Sequence, residues 1–254
     1  MSIEIASWAR ALCAVTKSGG CVRLENPTPW GRGIALALAP HPDDPDAVAV
    51  TLRVLADAGW RLHWAIATSG WSGVQDDFVG PDREAKIEAR IAEQRESARL
   101  FGLPDDRLSF LGLAENDAGE MEETSANRAR LLEALDALGP DLVLLPHRND
   151  SNAAHRLVHD WFASWAEGRD HPILALGNED PKTLDFRPNL MTIFDEETAR
   201  WKASLLECHR SQSARNLATR GITFAERILS VNRRVPGVPE GAYAERFEAA
   251  SWRM

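Results

Sequence analysis

Short apolar runs alternate with longer helix-period segments along the first two-thirds of the chain. Gly33-Ile34-Ala35-Leu36-Ala37-Leu38-Ala39 is a continuous apolar run closed by Pro40, which reads as a strand buried on both faces. Residues 46–58 place Val50, Val54 and Leu55 on one helical face and stop at Gly59. A second strand is predicted at 61–68, a charged helix at 83–101 closed by Gly102, a third strand at 108–113, and a helix at 127–138 ended by Gly139-Pro140. A fourth strand spans 141–146, and a helix over 153–166 has Ser151 or Asn152 to cap it. This alternation predicts an α/β fold with a mainly parallel sheet and helices on both faces. After Gly168 the pattern loosens into strands at 172–176 and 190–194, helices at 196–210 and 224–231, and a Pro/Gly loop at 235–241. One domain over 1–254 is expected, with its core at 33–167 and an irregular C-terminal extension, 168–254, completing the pocket.

Composition narrows the partners. The 254 residues are 44% hydrophobic and 26% charged, so a sizeable core forms. Asp+Glu outnumber Lys+Arg by 38 to 29, a formal net charge of -9, which argues against nucleic acid as a partner because phosphate affinity needs a basic footprint. No apolar run approaches the roughly 20 residues that cross a bilayer, so no membrane span is expected. Met1-Ser2-Ile3-Glu4-Ile5 has an early acid and no positive-then-apolar layout, so it does not read as a secretory signal. Cys13, Cys21 and Cys208 are too few and scattered for a disulfide framework or a Cys-rich zinc site. A cytoplasmic globular protein is expected; nothing in the sequence sets its oligomeric state, and a homo-oligomer is compatible with it.

Candidate chemistry collects where strands end. Pro40-His41-Pro42-Asp43-Asp44-Pro45 follows the first strand, and 146–155, from Pro146-His147 to Ala154-His155, follows the fourth. In open α/β sheets such loops share one edge, where sites form. A His–carboxylate–His set with an open fourth position suits a catalytic zinc, and His41, Asp44 and His155 can supply it. Asp43 would then stand beside the ion, placed to take a proton from an attacking water. A plainer reading stays open for the first loop: Asp43 and Asp44 cap a helix that begins at Pro45. No Gly-x-Gly-x-x-Gly or P-loop follows any strand, so nucleotide binding has no support.

These residues resemble the PIG-L/LmbE-like family of zinc-dependent deacetylases of N-acetylglucosamine compounds. Beyond His41-Pro42-Asp43-Asp44 and His155, the likeness takes in Thr68-Ser69-Gly70, Arg90-x-x-Glu93 ending in Phe101-Gly102, Lys202 through His209-Arg210-Ser211-Gln212, and Tyr243-Ala244-Glu245-Arg246-Phe247. It runs from about residue 33 to 248 and implies a Rossmann-like α/β fold. The resemblance implies that His41, Asp44 and His155 bind zinc or another divalent transition metal. It also implies that Asp43 is the general base and that Arg90 contacts a small-molecule N-acyl amino sugar or glycoconjugate. Arg90 has an alternative as a solvated helix residue partnered by Glu93 and Glu96.

The chain departs from the family pattern twice. Pro45 stands where Glu is usual, and Asn152-Ala153-Ala154-His155 replaces His-Pro-Asp-His. Asn152 keeps an N–H donor for the oxyanion, though not an imidazolium acid. His147 is a candidate to protonate the leaving amine, or a His bonded to nearby backbone. Trp71, after the Ser69-Gly70 turn, is a candidate to stack on a sugar ring or acyl chain. His159 and His63 read as packing or pairing, His209 as a brace, and Cys208 as no nucleophile. Three functions follow: N-acyl hydrolysis of an amino sugar to acetate and a free amine, metal and sugar binding without turnover, or hydrolysis of a non-sugar amide. Loops 71–81, 114–124 and 177–189 would set specificity.

Overall fold

The computed structural model describes residues 20–24, 32–233, 235 and 237–252; the expected absence of a leader at residues 1–5, Cys13, and Pro236 of the 235–241 loop lie outside these. In chain order the elements are β1 (Val22–Arg23), β2 (Ile34–Ala39), α1 (Ala49–Asp57), β3 (Arg61–Ile66), α2 (Asp76–Val79), α3 (Arg83–Phe101), β4 (Leu108–Phe110), α4 (Ser125–Leu138) and β5 (Leu142–Pro146). They continue as α5 (Ala153–Glu167), β6 (Ile173–Asn178), β7 (Leu190–Phe194), α6 (Glu196–Glu207), α7 (Arg210–Arg220), α8 (Phe224–Arg233) and β8 (Tyr243–Trp252).

The eight strands form one sheet in the order β1-β7-β8-β6-β5-β2-β3-β4. All pairings are parallel except those of β8, which lies antiparallel between β6 and β7. Burial on both faces explains the continuous apolar runs. Ala35 and Ala37 of β2 share a core with Leu52 and Leu55 of α1 and Ala98 of α3. Leu36 and Leu38, pointing the other way, pack with Leu131 and Leu135 of α4 and Val158 and Phe162 of α5.

The order also locates the crevice. From β2 the chain winds outward through β3 and β4, then returns to pair β5 beside β2 and winds outward again to β6. The direction reverses between β2 and β5, and at such a switch point the loops beyond the carboxyl ends of the strands diverge and leave room for a ligand. Those loops are 40–45 and 147–152.

The C-terminal third departs from the expected elements. The helix expected over 196–210 stops at Glu207; Cys208 and His209 form a break, and α7 starts at Arg210. The break turns His209 inward, where Nε2 lies 2.6 Å from Asp46 Oδ2. Strand β8 was not expected, because its interior carries Glu245. That carboxylate is buried but occupied: it accepts from Val50 N at 3.0 Å, Thr51 N at 2.7 Å and Lys202 Nζ at 2.7 Å. It therefore satisfies two orphan N–H groups at the start of α1 from across the sheet. Among the described residues, no helix is long and apolar enough to cross a membrane.

Lys202 is fully buried and also donates to Ala47 O at 2.5 Å and Asn232 Oδ1 at 2.8 Å. Removing it strands Glu245 in the interior. Lys202→Met is expected to lower unfolding free energy by about 3–5 kcal/mol. Urea titration checks this, the midpoint falling with an unchanged m value; a loss under about 1 kcal/mol would mean that the pair braces nothing.

Candidate metal centre and active site

The turn after β2 is built around a strained residue. Asp43 sits at φ 98°, ψ -29°, a left-handed conformation that costs a non-glycine residue about 1–2 kcal/mol. It persists because its surroundings hold it on several sides. Gln94 Oε1 accepts from Asp43 N at 2.9 Å, Arg90 Nη2 donates to Pro42 O, and His41 N donates to Asp44 Oδ2 at 2.8 Å. Asp46, two residues past the first aspartate pair, is wholly buried and accepts from Ser97 Oγ at 2.7 Å besides its contact with His209. The turn thus presents Asp43 and Asp44 rather than merely capping a helix: the first helical turn gains no side-chain cap from either.

The loop after β5 brings the second imidazole. Asp150, buried, accepts from Asn152 N at 2.7 Å, and its other oxygen is 3.0 Å from His155 Nδ1. This fixes the ring so that Nε2 points at Asp44 Oδ1, 3.6 Å away; His41 Nδ1 lies 3.5 Å from Asp44 Oδ2. One ligand atom from each of His41, Asp44 and His155 falls within 4.8 Å of the other two.

The donor set fits a divalent cation. His155 Nε2 is buried without a hydrogen-bond partner, while its other nitrogen meets a carboxylate, the arrangement that orients a metal-binding imidazole. Burial pushes the Asp44 carboxyl up, but the His155 and His41 imidazoles outweigh it and hold the group well below the usual carboxylate range. Burial likewise opposes charge on His155, and Asp44 and Asp150 reverse that and raise its pKa. The Asp44 carboxylate and the His41 and His155 imidazoles together are a donor set that suits a divalent cation.

A cavity of about 480 Å³ opens over this set. His41, Asp43, Asp44, Arg90 and Asn152 all line it. The reading of Arg90 as a solvated helix residue is corrected: it is 2% exposed, Nη2 is 3.5 Å from Asp43 Oδ2, and Nε and Nη1 are buried with no partner. Its expected partners are engaged elsewhere, Glu93 with Ser211 and Glu96 with Arg210. Asn152 caps α5 through Oδ1, which accepts from Ala154 N at 2.9 Å; its Nδ2 makes no hydrogen bond among the described residues.

Two expected substrate contacts are not brought to the cavity. His147 is buried, with Nε2 3.1 Å from Glu248 Oε2 and Nδ1 accepting from Asn149 N. Trp71 packs beside the cavity rim at Gly119, with the Arg83 guanidinium 5.0 Å from its ring centre. Glu115, in the 114–124 loop, clamps the turn after β3 by accepting from Ser69 N at 3.0 Å and Gly70 N at 3.2 Å. His159 leans on Asp160, and burial pushes the Cys208 thiol up to about 11, which leaves it unreactive near neutrality. Asp46, Gln94, Ser97 and Asp150 were missed by the sequence reading. The available signal was the spacing 90, 93, 94, 97, a helix-period stripe made of polar residues.

The fold and the site together define a doubly wound α/β protein with a His–Asp–His cluster, a candidate cation site, at its switch point. Residues 36–166 match the family model PIG-L: GlcNAc-PI de-N-acetylase, and the chain belongs to that family. No curated protein sequence matches the chain. Among solved structures it is similar to N,N'-diacetylchitobiose deacetylase from Pyrococcus horikoshii, with TM-score 0.66, 21% identity and coverage of 85% of this chain and 83% of that one. It is also similar to GalB, the 4-carboxy-2-hydroxymuconate hydratase from Pseudomonas putida KT2440, with TM-score 0.65, 18% identity and coverage of 87% and 97%. A third similar structure is a deacetylase–teicoplanin complex, with TM-score 0.60, 13% identity and coverage of 85% and 99%.

Gly70 tests how closely the turns are packed. It has φ 62°, and a Cβ there would lie 3.3 Å from His41 Cδ2 and 3.4 Å from Arg90 Nη2. Gly70→Ala is expected to cost about 1–2 kcal/mol of stability from backbone conformation alone. Chemical denaturation reads it, and an unchanged midpoint would refute the tight packing.

Proposed function

We propose that the protein is a metal-dependent N-deacetylase that hydrolyses an N-acyl group, N-acetyl in the first instance, of an amino-sugar-containing small molecule. The observation that carries this reading is the bare, buried Nε2 of His155, aimed at Asp44 and His41 on the edge of a cavity that Asp43 lines. Membership of the PIG-L family supports it, as do solved neighbours described as deacetylases. His41, Asp44 and His155 would hold the ion; zinc suits two imidazoles and a carboxylate, and the same ligands accept other divalent transition metals. When bound, such an ion supplies Lewis-acid polarisation of the reacting carbonyl.

The chain's own residues supply the rest. Asp43 accepts a proton from the attacking water as its oxygen bonds to the carbonyl carbon. Arg90, against Asp43 Oδ2, aims that carboxylate, and its free Nε and Nη1 donate to substrate oxygens. The Asn152 Nδ2 donates to the oxyanion as charge develops there. Asp43 then returns the proton to the amine nitrogen as the C–N bond breaks, so water and amide become acetate and a free amine. His147 and Trp71, engaged by Glu248 and Arg83, act by supporting the walls. The Asn152 and Ala154 substitutions favour one second reading, a metal- and sugar-binding protein without turnover.

Amine release from N-acetylglucosamine conjugates by zinc-loaded protein tests both readings. Asp43→Asn is expected to slow release by about 10²–10⁴-fold and Asn152→Ala by about 10²–10³-fold. Saturable binding with no release by the native chain, alongside release by Asn152→His, would sink the enzyme reading. Independently, Asp150→Asn is expected to weaken zinc affinity by about 10–100-fold in chelator competition; unchanged affinity would remove Asp150 from the support of His155.

A further inference from the structure

One wall of the cavity carries a charge pattern that the hydrolytic residues do not use. Arg215 and Arg220 on α7 and Arg227 on α8 line it, and Lys182 joins them from the loop between β6 and β7. In a chain of net charge -9 this is a local concentration of the opposite sign. Other arginines of the protein have carboxylates: Arg210 meets Glu96 at 2.7 Å, and Arg169 meets Asp136 at 2.6 Å. The three arginines of this wall do not. Arg220 donates to the Thr219 hydroxyl at 2.8 Å, while the side chains of Arg215 and Arg227 make no hydrogen bond or ion pair among the described residues.

The carboxylates that share the cavity are committed elsewhere. Asp43 faces Arg90, and Asp44 belongs to the cation set. Glu120 accepts from Asn116 at 3.2 Å, and Asp180 accepts from the Lys182 backbone N at 2.9 Å. Burial also raises the Asp180 pKa. Burial, with Arg220 and Arg215 adding to it, lowers the pKa of Arg227 against the pull of Asp180 and Asp43. Three like charges thus repel one another in a partly enclosed space, and a ligand anion would relieve that repulsion. Arg227 and Asp43 line the same cavity, so one ligand can face both. Asn216 also lines the cavity, and its Oδ1 is buried without a partner.

We propose that this wall is an anion subsite: besides its scissile N-acyl group the substrate carries a phosphate or carboxylate, bound by Arg215 and Arg227 with Arg220 and Lys182 adding to the field. Arginine suits the task because its planar fork pairs with either oxyanion through two parallel hydrogen bonds. The place of this subsite in catalysis rests on the deacetylase reading; its capacity to bind an anion does not.

The test compares N-acetylglucosamine with N-acetylglucosamine 6-phosphate and N-acetylmuramic acid on the zinc-loaded full chain. Calorimetry is expected to show at least one of the two anionic sugars binding about tenfold or more tighter than the neutral one, as charge-assisted pairing implies. That advantage is expected to collapse in Arg215→Gln/Arg227→Gln and to shrink with added salt. Which anion gains separates phosphate from carboxylate recognition. In turnover, the ratio of kcat/KM for the preferred anionic sugar over the neutral sugar is expected to fall toward one in the double variant. Equal binding of all three sugars by the native chain, or an advantage that survives the double substitution, overturns the subsite. Failure of every sugar to release amine, with the binding advantage intact, would instead remove the deacetylase reading and leave the subsite standing.

Discussion

The chemistry of this protein depends on a buried polar face that holds a short turn in a conformation it would not keep alone. Helix α3 turns Arg90, Glu93, Gln94 and Ser97 inward, all buried. Gln94 contributes from both ends of its amide, taking Asp43 N on Oε1 and reaching Asp46 Oδ2 with Nε2 at 3.4 Å. Burying so much polarity is favourable only when the partners are supplied, because an unmade hydrogen bond in the interior costs more than a made one gains. Here the partners are the turn itself. The left-handed Asp43, its ionisable side chain in the cavity wall, and Asp44, which faces His41 and His155, are therefore one mechanical unit with α3.

The C-terminal third completes that unit. Ser211 offers both its N–H and its hydroxyl to Glu93 at 2.7 Å each, and Gln212 Nε2 donates to Gly73 O at 3.2 Å. His209 meets Asp46 from the break between α6 and α7, and Glu245 of β8 caps α1 while pairing with Lys202. Segments more than a hundred residues from the metal-ligand turn thus set its floor and one wall of its cavity. The structure gives Lys202, His209, Ser211, Gln212 and Glu245 each a bond to the scaffold beneath the site.

Legibility in the sequence followed the physics of each element. Strands β2 and β5 were readable because burial on both faces demands an unbroken apolar run, and α3 and α5 were bounded by capping residues and by Gly102. The convergence of His41, Asp44 and His155 was readable once two His/Asp-rich loops fell at strand ends. The polar face of α3 was not, since a search for amphipathic helices weights apolar spacing, and here the buried stripe is charged. The alternative of a solvated Arg90 stayed open for that reason. The break at Cys208-His209 was hidden because its cause, Asp46, lies 163 residues away. Strand β8 was hidden because Glu245 breaks its apolar pattern, and only Lys202 and the open end of α1 make that charge tolerable.

Asn152 shows how fold and chemistry compete for one side chain. Its amide oxygen is committed to the first turn of α5, the helix that presents His155 three residues on. Only Nδ2 is left for the cavity, so the residue there can donate but cannot take a proton. A histidine at that place would bring an acid, yet histidine is not among the favoured N-cap residues, and Asn caps among the best. The carboxylate at 154 that would have oriented such an imidazole is absent as well, its place taken by Ala154, whose N–H the asparagine satisfies. The residues at 152 and 154 are thus a matched pair: the asparagine secures the helix end through the Ala154 N–H. In the proposed reaction the proton is then left to Asp43, which would carry it both ways.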